Sequence, residues 1–226
     1  GFIGTFLNGS SIRHSEFNNN TGASDVHGCH LSNCDGVTVT QCTANHNSSS
    51  AAKGYGFVLT ECTGSLLAET VTTANKGVTE TAGIYITGST DDKGNFVFNS
   101  LSNSNKSTTG DSHGFLLRSA EQAYIQNCEA KSNCAAIGDS YGIRLIGSSN
   151  CHIESNTLSR QTYGIHDDEA AGTVSNMFIN NTGYHNKIND FIRSNSTEID
   201  HISVDQGYLQ GVIAASNKDN ISVRFK

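Results

Sequence analysis

The sequence predicts an all-β protein, a single-stranded right-handed parallel β-helix, or solenoid, of about eight turns. A glycine with apolar residues at the first and third positions after it recurs along the chain, and asparagine recurs at a similar interval. The 226 residues include no proline, no tryptophan and one methionine, and 15% are charged, a composition typical of β proteins. We expect residues 1–226 to form one elongated domain that is a piece of a larger protein.

The first strand of each turn follows a glycine that marks the origin of the repeat. Apolar residues one and three positions after the glycine alternate as in a strand with one buried face. The clearest copies begin at Gly28, Gly56, Gly83, Gly114 and Gly142, and less regular copies begin at Gly1, Gly164, Asp190 and Gly211. The clear copies follow one another at intervals of 27 to 31 residues, a period typical of solenoids.

Each turn contains two further short segments. A second apolar pattern, such as Val37-Thr38-Val39 or Tyr124-Ile125, lies about nine to eleven residues after the glycine. A third segment ends in an amide, at Asn20, Asn47, Asn75, Asn105, Asn133, Gln161 and Asn186. Three strands per turn, each paired with its equivalent roughly 4.8 Å above and below, would stack these amides into an inward ladder that satisfies buried polar groups at a corner.

Glycine and cysteine have predicted places in this repeat. The glycine at each unit start is expected to permit a bend that a Cβ would resist. Cys34 and Cys62 each lie six residues after a unit glycine, and Cys42 and Cys128 lie fourteen after theirs. These are small-residue positions, so we expect buried thiols rather than a disulfide framework. Whether the stacked pair Cys34 and Cys62 is bridged stays open.

Charge and motif content exclude several classes of protein. Fourteen Lys and Arg residues against 21 Asp and Glu residues give a net charge of −7, so no broad basic surface is expected and nucleic acid is excluded as a partner. No apolar run approaches the roughly 20 residues that span a bilayer. No cysteine or histidine spacing indicates a metal site, and no cofactor is expected.

Two charged residues occupy a position that is apolar in the earlier turns. Asp167 and Arg193 both lie three residues after their unit origins. They would form either a buried ion pair between adjacent turns or an outward bulge, and we favour the bulge.

The repeat resembles the right-handed parallel β-helix proteins of the pectin-lyase-like superfamily over nearly the whole chain. Members include pectate lyases, polygalacturonases, mannuronan C5-epimerases, phage tailspikes and surface adhesins, so the resemblance implies an extracellular or surface-exposed location and would allow a bound Ca²⁺. The segment from Tyr163 to Glu169, Tyr-Gly-Ile-His-Asp-Asp-Glu, is similar to the epimerase motif Tyr-Gly-Phe-Asp-Pro-His-Glu. His166 stands where that motif has its aspartate, and Asp168 stands where it has its histidine.

The candidate site residues fall at repeating positions near the unit glycines. Tyr55, His113 and Tyr141 each precede a glycine, and with Arg118 they form a candidate ligand-binding set whose rings would cover sugars. The candidate catalytic set is Tyr163 as acid, His166 as base, Asp168, and Arg144 to neutralise a uronate carboxylate. The alternative is that the rings pack on each other and the charges form a solvated face.

Two functions follow from these observations. The first is an elongated module of a cell-surface, secreted or virion protein that acts as a rigid scaffold, a glycan-binding face or both. The alternative is a polysaccharide lyase or a mannuronan-type C5-epimerase acting on a uronate polymer, so enzymatic activity stays open. The expected partners are a polysaccharide or glycan, and flanking domains or another chain that cover the ends of the solenoid.

Overall fold

The structure is a computed structural model that describes residues 1–88, 93–168, 176–193, 198–205 and 223–225. From Arg193 onward it describes the backbone only. The described residues form an all-β parallel solenoid without a helix, and none of them forms a helix that could cross a membrane.

The first thirteen strands are β1 (Phe2–Thr5), β2 (Ser11–Arg13), β3 (Thr21–Gly22), β4 (Val26–Ser32), β5 (Thr38–Thr40), β6 (Ser48–Ser49), β7 (Lys53–Thr60), β8 (Leu66–Ala68), β9 (Val71–Thr73), β10 (Lys76–Gly77), β11 (Glu80–Thr87), β12 (Phe96–Phe98) and β13 (Leu101–Asn103). The remainder are β14 (Lys106–Ser107), β15 (Asp111–Arg118), β16 (Tyr124–Gln126), β17 (Glu129–Lys131), β18 (Cys134–Ala135), β19 (Ser140–Ile146), β20 (His152–Glu154), β21 (Thr157–Ser159), β22 (Tyr163–Asp168), β23 (Met177–Tyr184), β24 (Asn189–Arg193), β25 (Glu198–Asp205) and β26 (Val223–Phe225).

Three parallel sheets run along the solenoid. The first sheet has eight strands in the order β1-β4-β7-β11-β15-β19-β22-β24. The second has 13 strands: arm one is β2-β5-β8-β12-β16-β20, arm two is β9-β13-β17-β21, β23 joins the two arms, and β25 pairs with β23 and with β26. A short sheet follows arm two in each turn, in the order β3-β6-β10-β14-β18. The predicted fold class is confirmed with about six turns, while the first sheet alone has eight strands.

The core is a stack of like residues contributed by successive turns. The residues directly after the unit glycines are paired neighbours in the first sheet, and all of them are buried: Phe57, Ile84, Phe115 and Ile143. Arm one adds residues such as Ile125 from the opposite side. The predicted inward directions are therefore confirmed, because a strand paired in register with its equivalent above must present the same face to the core.

The unit glycines are needed for a reason other than the predicted bend. A Cβ on Gly83 would lie 1.9 Å from Ser102 Oγ, and a Cβ on Gly114 would lie 2.7 Å from Ala130 Cβ. Neither glycine has a positive φ. Glycine is required here because the strand passes close to inward side chains of the neighbouring arm. The bends are made instead at the corners, where residues such as Asn99, Asn127 and Ser155 adopt the left-handed conformation.

The predicted amide ladder is present from Asn20 to Asn133 along the corner after arm two, whereas Oε1 of Gln161, its next predicted member, has no hydrogen-bond partner among the described residues. Each asparagine donates from Nδ2 to Oδ1 of the next, at 2.7 Å for Asn20 to Asn47, 2.9 Å for Asn47 to Asn75, and 3.0 Å for Asn75 to Asn105. Asn105 donates to Asn133 at 3.0 Å. The same Oδ1 atoms also accept the backbone N–H of the preceding turn. The ladder therefore fixes the height of each turn and satisfies buried corner amides.

The cysteines occupy the predicted small-residue positions. All seven are free thiols, and all but Cys134 are buried. Cys34 and Cys62 are therefore not bridged. Burial raises the pKa of Cys62 to about 12 and that of Cys128 to about 12, so these thiols are protonated at neutral pH and act as small apolar residues.

The predicted bulge at Asp167 is wrong. Asp167 is fully buried, and its backbone continues the parallel ladder between Leu145 and Arg193 without an extra residue. Asn176 Nδ2 donates to both carboxylate oxygens, at 3.2 and 3.3 Å. A buried carboxylate is tolerated here because it accepts hydrogen bonds. The side chain of Arg193 lies outside the described residues.

Replacing a ladder asparagine should destabilise the protein far more than replacing an outward asparagine of the same turn. Asn105→Ala removes the acceptor for the buried N–H of Asn75, at a cost of about 3 kcal/mol. Urea unfolding followed by circular dichroism measures this change. The matched control is Asn103→Ala, where the half-buried side chain should cost less than about 1 kcal/mol. Equal losses for the two variants would show that the ladder contributes no special stability.

Candidate functional site

The outer face of the first sheet brings all the predicted site residues together in three adjacent rows. The row before the unit glycine contains His27, Tyr55, Ala82, His113, Tyr141 and Tyr163. The row two positions after the glycine contains His30, Val58, Tyr85, Leu116, Arg144 and His166. The row four positions after it contains Arg118, Ile146 and Asp168. In-register pairing creates this grouping, because equal offsets from the glycine place residues at one point along the strand.

The rings of the first row stack on each other. Ring centroids are 5.6 Å apart for His27 and Tyr55, 5.2 Å for His113 and Tyr141, and 5.3 Å for Tyr141 and Tyr163, with interplanar angles of 10° to 22°. Tyr55, His113 and Tyr141 are at most 3% exposed. A sugar would have to displace a neighbouring ring to lie on any of these three, so the half-buried Tyr163 is the more accessible ring of this stack.

A second apolar cluster lies on this outer face. It consists of Tyr55, Val58, Ala82 and Leu116, all buried, with Tyr85 and Ile146 packed against them. Strand alternation predicts Val58 and Leu116 to be solvent-exposed, and it predicts Tyr55 and Ala82, two residues before core residues, to face the core. Their burial makes this part of the face a packed surface with charged side chains at its border.

Glu80 is the centre of the first charged group on this surface. Its carboxylate accepts hydrogen bonds from Arg118 Nη2 at 2.6 Å and from the Tyr55 hydroxyl, and Lys53 Nζ lies 3.7 Å away. Burial alone would raise the pKa of Glu80, but the hydrogen bonds from Arg118 and Tyr55 outweigh it and hold the pKa at about 2. Arg118 Nη1 also donates to the Tyr85 hydroxyl at 3.3 Å. The charge of Arg118 is therefore neutralised within the protein.

Arg144 is the centre of the second charged group. Its Nη1 donates to Asp111 Oδ2 at 2.6 Å and its Nε to Asp168 Oδ2 at 2.8 Å, while its guanidinium carbon lies 4.4 Å from the Tyr141 ring centre. His166 Nε2 is 3.0 Å from Asp168 Oδ1. The hydrogen bond from His166, followed by that from Arg144, lowers the pKa of Asp168 to about 2 although burial opposes the shift. Asp111 and Asp168 are thus both bound to the guanidinium that was predicted from the sequence to bind a substrate carboxylate.

Two acids of these groups escaped the sequence analysis, although the sequence contains a signal for them. Glu80 and Asp111 lie three residues before a unit glycine, as do Asp25 and Asp139. This repeated acid at one offset indicates a row of carboxylates at the start of the first-sheet strands. The motif residue Glu169, in contrast, lies outside the described residues.

His113 is a fully buried imidazole close to both charged groups. Neither of its ring nitrogens has a hydrogen-bond partner. Burial lowers its pKa to about 3, with the carboxylates of Glu80 and Asp111 opposing the shift and Arg144 and Arg118 supporting it. His113 is therefore neutral across the physiological range.

The described residues also form an open groove elsewhere on the molecule. It has a volume of about 340 Å³ and lies at the corner between the arms of the second sheet, where Asn99, Leu101, Asn127 and Glu129 line it. None of the predicted site residues reaches this groove.

The stability of the protein should fall as the pH decreases from 7 to 5, and His113 should account for part of the loss. A histidine whose folded pKa lies below its unfolded value contributes stability that is fully present above the unfolded pKa of about 6.5 and is lost as the pH falls. For a folded pKa of about 3, the loss between pH 7 and 5 is about 2 kcal/mol. The carboxylates of Glu80 and Asp168 contribute only at lower pH, because their pKa values fall from about 4 to about 2.

His113→Phe should remove this component when urea unfolding is compared at pH 7 and pH 5. The pH dependence of stability that remains in this variant should come from His27 and His30, because burial also lowers their pKa values. His14→Asn, at an exposed position, should leave the pH dependence of the wild type unchanged. An unchanged dependence in His113→Phe would mean that His113 is solvated in the folded protein.

The family model described as "Periplasmic copper-binding protein (NosD)" matches residues 3–211. No curated protein matches the chain.

Proposed function

The chain belongs to the NosD family, and on that premise we propose that it is a rigid β-solenoid module that works in the periplasm and presents a fixed surface to a glycan. The observation that carries the proposal is the internal pairing on the first sheet. Both arginines of the site are bound by carboxylates of the same surface, and the rings stack on each other. Such a surface is preorganised, so it loses little conformational entropy when it binds a partner.

The family description names copper, and the described residues do not fit a copper centre. Among them, no three His, Cys, Asp or Glu side chains are grouped so that they could hold a metal ion. Six of the seven cysteines are buried, and burial raises the pKa of Cys29 and Cys151 to about 12, whereas a metal binds the thiolate. The exposed Cys134 is not grouped with two further ligands among the described residues. His27 and His30 form a close pair without a third ligand. We therefore assign copper no role in the proposed function.

Removal of metal should leave the stability of the protein unchanged. The described turns are held by hydrogen bonds and an apolar stack, so dialysis against a copper chelator should not shift the melting temperature. Differential scanning fluorimetry before dialysis, after it, and after re-addition of copper measures this. A melting temperature that falls on chelation and returns with copper would establish a structural metal in this chain.

The alternative, a lyase or C5-epimerase, requires free groups that this surface does not offer. Neutralising a uronate would require Arg144 to give up Asp111 or Asp168, at the cost of leaving a carboxylate unpaired. Burial raises the pKa of Tyr163, which makes it a weaker acid. The close pair of Tyr163 and His166, with ring centroids 5.4 Å apart, is the feature that favours chemistry.

A panel of polysaccharides separates binding from catalysis. We expect the purified chain to be retained on at least one glycan and to release no unsaturated product from uronans, as followed by ultraviolet absorbance. We also expect no exchange of the C5 proton in deuterated water. Product formation that His166→Gln abolishes would establish the enzyme instead, and the absence of retention on every glycan would leave only a scaffold.

A further inference from the structure

Five cations line one edge of the solenoid on successive turns. They are Lys76, Lys106, Lys131, Arg160 and Lys187, and we name this set the basic edge. It lies at the corner between arm two and the short sheet. The first sheet, with its paired charges, is a different face.

The amide ladder sets the spacing of the basic edge. Lys76, Lys106 and Lys187 directly follow ladder positions, Arg160 directly precedes one, and Lys131 lies two residues before one. Lys76 and Lys106 are paired neighbours in the short sheet. At roughly 4.8 Å per turn, five turns place the charges in a band about 19 Å long. The ladder amides Asn75, Asn105, Asn133 and Gln161 under this band are buried, and Asn75 and Asn105 each donate to the next turn.

The charges of the basic edge are not compensated nearby. Within the described part of the chain, none of the five forms an ion pair. Four are exposed and Lys131 is half-buried. Glu129 is the one acidic residue in the strands of arm two and the short sheet. A local excess of positive charge therefore exists on a protein whose net charge is −7.

We propose that the basic edge binds a linear acidic polysaccharide that lies along the solenoid axis. This rests on the proposed function, glycan binding by a rigid solenoid, and adds a ligand class and a second face apart from the first sheet. The five cations lie in a band three rows wide at this corner, with one charge on each turn, and an extended polyanion that lies along the axis contacts these charges in succession. Neighbouring polar side chains of the same corner, Asn103, Ser104 and Ser132, supply donors and acceptors for sugar hydroxyls.

Other polyanions fit the basic edge less well. A membrane surface attracts clustered basic residues on a broad face, whereas the basic edge presents one charge per turn along one corner. Binding of a single-stranded nucleic acid uses exposed aromatic rings that stack on the bases, and the residues next to the basic edge on the middle turns are Asn, Ser and Ala.

The test measures binding of the full chain to polygalacturonate by biolayer interferometry, with fully methyl-esterified polygalacturonate as the uncharged counterpart. The double variant Lys106→Gln/Lys131→Gln should weaken binding to polygalacturonate about tenfold and reduce its salt dependence. The matched control, Arg13→Gln/Lys93→Gln, removes two exposed cations elsewhere and should bind as the wild type does. Melting temperatures of both variants verify that they are folded.

Three results would overturn the proposal. They are equal losses in the two double variants, unchanged binding in Lys106→Gln/Lys131→Gln, and tighter binding to single-stranded DNA or to phosphatidylglycerol vesicles than to polygalacturonate. Retention of the wild type on a neutral glycan only would reject the basic edge but keep the proposed function. Retention on no glycan at all would reject the glycan-binding function itself.

Discussion

The turns of this solenoid must satisfy buried corner amides within an apolar core, and the stacked asparagines from Asn20 to Asn133 meet that requirement. One Oδ1 accepts both a side-chain and a backbone N–H from the turn before, so the amide is needed at the same height in each turn. That requirement fixes the length of the repeat between corners. It also explains the unit glycines, because the first strand passes against the inward amides and a Cβ on Gly114 would lie 3.0 Å from Asn133 Nδ2.

The same register between turns also arranges the outward side chains of the first sheet. Once turns are stacked at a constant height, each outward position becomes a row, and neighbours in a row must suit each other at a short distance. Rings can stack at this spacing, and opposite charges can pair between adjacent rows, as Arg144 does with Asp111 and Asp168. The outer face of the first sheet is therefore a surface whose groups are matched to each other before any ligand arrives.

The inward-facing positions could be predicted from the sequence because the in-register stacking of turns produces both the sequence period and the burial of the same positions. The apolar stack around Phe115 and the amide series through Asn105 both form because each residue lies beside its equivalent in the next turn. The candidate site was predicted only in part. The positions of Tyr55 and Arg144 were correct as rows, but their partners depend on which long side chains meet across rows, as with Arg118 and Glu80, 38 residues apart. The burial of Leu116 on an outward position likewise depends on neighbours that alternation does not specify.

The net charge of a solenoid does not describe its local surfaces, because acidic and basic residues can lie in different rows. Four of the 21 acids, Asp25, Glu80, Asp111 and Asp139, lie at the repeated offset before the unit glycines, beside the strands of the first sheet. Of these, Glu80 pairs with Arg118 and Asp111 pairs with Arg144. Little negative charge remains along arm two, where Glu129 stands alone among the strand residues. A total of −7 is therefore compatible with a narrow band of uncompensated cations, one on each of five turns. For such a fold, electrostatic arguments about partners should be made one row at a time, since a linear polymer lying along the axis contacts a row and not the average surface.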